Sequence, residues 1–161
     1  AFVLACVVVL ATIYPLERWS HYWFSDGRPV AWAPLMPAEP LAAAAHSTWQ
    51  AGLAAAGLPA DRPVPAIGGG VPAATVANVL PERPTWFEAL DPLKSPWVDD
   101  GTIRLDGILV VGMDATARLA ELGLCPMASQ TYAWPNGRGS AGLTVEITAF
   151  LPAKATAACL R

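Results

Sequence analysis

Charge is what this sequence has least of: Lys, Arg, Asp and Glu make up 14% of its 161 residues, where ordinary soluble domains carry about 25%. The ten Lys and Arg residues are scattered among thirteen Asp and Glu, for a formal net charge of -3. No basic stripe exists to neutralise a phosphate backbone, which excludes nucleic acid as a partner. Histidine is limited to His21 and His46, and cysteine to Cys6, Cys125 and Cys159. Neither histidine stands near a Cys or carboxylate at metal-ligand spacing, so no zinc site is expected. There is no G-x-S-x-G elbow and no nucleophile and base pair, which leaves hydrolase chemistry without named residues. No catalytic residue, metal or cofactor is expected in this chain, and no internal repeat or low-complexity tail is visible.

Apolar residues fill the gap, at 54%, and 16 prolines stiffen the loops that charge would otherwise solvate. That composition argues against disorder, and the length suits one core. The apolar excess is densest from Ala1 to Tyr14, AFVLACVVVLATIY, which carries no charge. As a helix it spans about 21 Å of a hydrocarbon core roughly 30 Å thick. The absence of an initiator Met predicts that the sequence starts inside a longer protein, with the rest of this helix upstream. Pro15, Glu17 and Arg18 would mark its exit. Trp19, Tyr22, Trp23 and Phe24 then crowd where an aromatic belt meets lipid headgroups, with His21 among them. A signal peptide, a lipoprotein signal around Cys6 and a buried core helix are the competing readings. Cys6 itself reads as a lipid-facing thiol. The expected organisation is therefore the end of a transmembrane helix over residues 1–18, an interfacial segment and linker over 19–38, and an extracytoplasmic domain over 39–161. Trp32 and Met36 are expected to pin the linker to the domain.

Within the domain, Glu39 to Gly57 is rich in alanine, with Leu41, Ala44, Ala45, Trp49 and Leu53 at helical spacing. A short strand is predicted from about Pro63 to Ile67, running into three glycines, and a helix from near Pro72 to before Pro84. RPTWFEAL reads as a strand. Ser95 suits a helix cap with Pro96 at the first helical position and Asp99 and Asp100 at the positive end. DGILVVGMD is a continuous apolar run of the kind buried on both faces of a sheet, and Asp114 opens a helix to Leu122. ASQTYAW and LTVEITAFL alternate around a Pro135 to Gly139 turn, as an antiparallel hairpin does. The predicted fold is α/β: a small three-layer domain with a mixed, mainly parallel sheet of about five strands and a C-terminal β-hairpin.

Three places are candidates for chemistry. Gly68, Gly69 and Gly70, followed by Val71, Pro72 and Ala73, match G-x-G-x-x-A with Glu88 about twenty residues after Gly68. Such glycines let backbone amides approach a pyrophosphate at a helix start. The alternatives are a bare strand-to-helix turn or a seat for another anionic group. Seven tryptophans are many for this length, and Trp86, Trp97 and Trp134 either line a glycan surface or anchor the core. Trp97 and Asp99 join the three glycines as candidate ligand-binding residues. Cys125 and Cys159 flank the hairpin and are either joined or two buried thiols. A bridge would close a loop of about 35 residues and stabilise the domain by roughly 3 to 4 kcal/mol.

Trp49, Gly68 and Gly69, Arg83-Pro84, Ser95-Pro96-Trp97 and Gly107 stand in an order that resembles the C-terminal extracytoplasmic domain of family 39-type membrane glycosyltransferases. The likeness covers about residues 40 to 112 and extends loosely to the hairpin. The aminoarabinose and protein-mannosyl transferases are similar enzymes. The resemblance implies a polytopic bacterial inner-membrane enzyme that moves a sugar from a polyprenyl-phosphate carrier to a lipid, glycan or protein acceptor. It implies a domain on the periplasmic side, with the catalytic acidic residue far upstream and this segment inactive alone. The partners implied are membrane lipid through residues 1–24, the remainder of the same chain, and a lipid-linked sugar or glycan acceptor. One departure is that the family often carries an acidic residue just after the glycine turn, where Gly70 and Val71 stand here. The alternatives are a membrane-anchored cell-envelope binding or sensor module, and a nucleotide-binding enzyme using the Gly68 to Gly70 turn.

Overall fold

The computed structural model describes residues 38–134 and 143–152. The expectations for segments 1–18 and 19–24, for Trp32 and Met36, for the turn at 135–139 and for Cys159 fall outside them. Among the described residues no helix is long and apolar enough to cross a membrane.

Helix α1 (Ala38–Ala55) forms where alanine density makes helix the least costly backbone, and it buries Leu41, Ala45, Trp49 and Leu53 along one stripe. Its end is fixed by chemistry. Gly57 takes φ +67, while Leu58 N donates to Leu53 O at 2.8 Å and Gly57 N to Ala54 O at 3.1 Å. This pair of bonds is a Schellman stop. The indole N–H of Trp49 donates to Arg62 O at 3.0 Å and ties the following loop to the helix. Arg62 in turn pairs with Asp106.

Strand β1 (Ala66–Gly69) leads into α2 (Val71–Val79) and β2 (Thr85–Glu88). Then come α3 (Asp100–Asp106), β3 (Ile108–Val111), α4 (Thr116–Glu121), β4 (Leu124–Trp134) and β5 (Leu143–Pro152). The five strands form one sheet in the order β2-β1-β3-β5-β4. β1 pairs in parallel with β2 and β3, and β5 pairs antiparallel with both β3 and β4. β5 alone runs against the other four. The sheet is mixed, as expected, but its ladders are evenly divided rather than mainly parallel. The physical reason is the hairpin: the eight residues between Trp134 and Leu143 are too few for a crossover, so β5 runs back along β4, and it enters between β4 and β3.

Both faces are covered. Leu109 and Val111 of β3 point with Ile67, Val145, Ile147, Ala149 and Leu151 into a core closed by α1 and α2. Ile108 and Val110 point the other way with Ala66, Phe87, Phe150 and Leu124, under Ile103 of α3 and Leu119 of α4. β3 is therefore buried on both sides at the centre of the sheet, as its unbroken apolar run predicts. β4 is an edge strand, and the register slips between Pro126 and Ala128, where Met127 is the extra residue. A proline and a bulge are devices that keep an edge from recruiting another strand.

Candidate functional site

The chain leaves β1 through α2 on one face to reach β2, and returns from β2 through α3 on the opposite face to reach β3. The order therefore reverses at β1, and the carboxyl ends of β1 and β3 are where open α/β sheets of this kind place their ligands. Gly70 and Val71 follow the end of β1 and Gly112, Met113 and Asp114 the end of β3, and the two turns are close, since a Cβ on Gly112 would stand 3.4 Å from Pro72 Cγ. Glu88 ends β2 in register with Gly69.

The three glycines have different roles. The predicted strand stopped at Ile67, whereas Gly68 and Gly69 are strand residues with a reason of their own. A Cβ on Gly68 would stand 2.4 Å from Leu90 Cδ2. On Gly69, at φ +136, it would stand 2.3 Å from Val111 O. The Gly69 carbonyl accepts from Ala89 N at 3.1 Å and from the Trp86 indole at 3.0 Å. Both glycines are thus taken up by the fold. Gly70 caps α2 and has nothing within 4 Å of its Cβ position, so it is the member of the three with open space above it.

Ser95, Pro96 and Trp97 close the outer edge of β2. Ser95 is fully buried, and its hydroxyl accepts from Glu88 N at 2.9 Å. The Trp97 indole donates to Trp86 O at 3.3 Å. Two outward-facing backbone groups of an edge strand are satisfied in this way. This corrects the expected cap. The helix begins at Asp100, and Asp99, not Ser95, caps it, through Gly101 N at 3.1 Å and Thr102 N at 3.0 Å. Ser95 cannot cap because its oxygen is committed to Glu88. These bonds, with a third from the Thr102 hydroxyl, hold the Asp99 carboxyl below its ordinary value. Asp114 is lowered in the same way by Thr116, whose N–H it accepts at 3.0 Å ahead of α4. Of the candidate ligand residues, the glycines lie at the carboxyl ends of the strands. Trp97 reaches them only through Trp86, and Asp99 is bonded to its own helix.

A second feature escaped the sequence. The contact between α1 and the end of α2 leaves a cleft of about 270 Å³ lined by Glu39, Ala42, Ala43, His46, Val79, Leu80 and Pro81. Beside it His46 Nδ1 faces Glu82 Oε1 at 3.6 Å, both atoms buried without a hydrogen bond, while Gln50 Nε2 lies 2.8 Å from His46 Nε2. No local spacing links these residues, because packing of α1 on α2 brings them together. Among the described residues no group of three or more side chains is arranged to hold a metal ion. Trp86 packs partly buried against the α1/α2 core. Cys125 is buried at the start of β4 and is disulfide-bonded, with Cys6 and Cys159 both outside the described residues. Comparison of the chain with models of protein families, with curated proteins and with solved structures gives no match.

Proposed function

We propose that this chain belongs to a membrane-embedded glycosyltransferase that moves a sugar from a polyprenyl-phosphate carrier to a lipid, glycan or protein acceptor. Residues 38–152 form its accessory domain on the periplasmic side of a bacterial inner membrane. The chemistry belongs to the rest of the polytopic chain, and this domain shapes the acceptor side.

One observation carries the reading. The residues that give the family likeness stand where the fold makes demands that few residues meet. Trp49 bonds the loop after α1. Gly69 takes φ +136 against Val111 O, and Gly107 takes φ +87 where a Cβ would stand 2.5 Å from Phe150 O. Arg83 sits at φ 49 before Pro84, and Ser95 and Trp97 satisfy the β2 edge. The shared residues specify a scaffold, as befits a domain whose enzyme carries its catalytic acid elsewhere. The apolar run at 1–14, followed by its aromatic cluster, supplies the membrane side of the reading.

The test is the reading frame and its product. The frame is expected to continue upstream of Ala1 into a series of hydrophobic spans, with an acidic residue on the first outer loop. Deleting residues 38–152 from the whole protein should reduce sugar transfer while leaving membrane insertion intact. A frame that opens near Ala1 would overturn the proposal.

A second reading has one observation in its favour: Glu88 and Gly69 end adjacent parallel strands in register, as a ribose-binding carboxylate and a pyrophosphate turn do. Calorimetric titration with nicotinamide and nucleotide ligands decides it, because a fingerprint site binds at micromolar concentration and silence across the panel removes it.

A further inference from the structure

We draw no further inference here: the strongest candidate, the cleft between α1 and the end of α2 with the contact between buried atoms of His46 and Glu82 beside it, is walled mainly by apolar side chains, no third metal-ligating group joins that pair among the described residues, and nothing in the structure shows what covers it.

Discussion

At the scale of single residues, the glycine turn separates into positions of opposite kind. Gly69→Ala brings a methyl group against Val111 O at a backbone angle that alanine rarely adopts. It should destabilise the domain by about 2 to 4 kcal/mol in urea unfolding. Gly70→Ala meets open space at φ -86 and should cost no more than about 1 kcal/mol, the loss of a tolerable helix cap. The sequence showed that three glycines lie between a strand and a helix. It did not show which of them the fold needs, because the obstacles are Leu90 and Val111, distant in sequence. Asp99 and Asp114 make a second pair. Both carboxyls are lowered by backbone N–H donors, so the stabilisation they supply is present above the ordinary value of 3.8 and is lost as pH falls through the lowered values. Asp99→Asn keeps a competent cap but removes the titration. Thermal melts between pH 2 and pH 6 should show a shallower acid limb in that variant than in the parent protein.

At the scale of elements, what could be read depended on period. α1 and β3 are legible because a helical stripe and an unbroken apolar run leave few other interpretations, and the hairpin because alternation surrounds a strong turn. The start of α3 was misplaced for a physical reason. Ser95 and Asp99 are both good caps, and only the fold shows that Ser95 already serves Glu88. Ser95→Ala leaves that part-buried N–H without its acceptor. It should cost about 1 to 3 kcal/mol, with faster hydrogen exchange at the Glu88 amide and little effect at the β3 amides. The His46 and Glu82 contact had no sequence signal at all, since two helices must pack before it exists.

For the whole molecule, class and strand number were legible, whereas the order of strands was not, because nothing in a strand's own pattern says which neighbour it takes. The cysteines bear on this level too. Cys125 is disulfide-bonded, and the partner expected from the sequence is Cys159. Mass analysis of the periplasmically expressed chain, with and without reductant, should find these two joined, and two free thiols would refute the pairing. Reduction should then lower stability by roughly 3 to 4 kcal/mol, as for a loop of about 35 residues. Truncation offers a separate check. A chain ending at residue 142 should lose β4 from the sheet as well as β5, because β4 is bonded to the sheet through β5, and limited proteolysis should then cut within residues 124–134.

That arrangement also bears on the timing of synthesis. Among the described strands the one that completes the middle of the sheet is made last, so the first three strands and their helices must wait with one flank of β3 open until residue 152 has left the ribosome. During that interval the nascent chain is a two-sided half-sheet with an apolar edge. Any pause late in translation would lengthen its exposure to holding chaperones far more than a pause of equal length earlier.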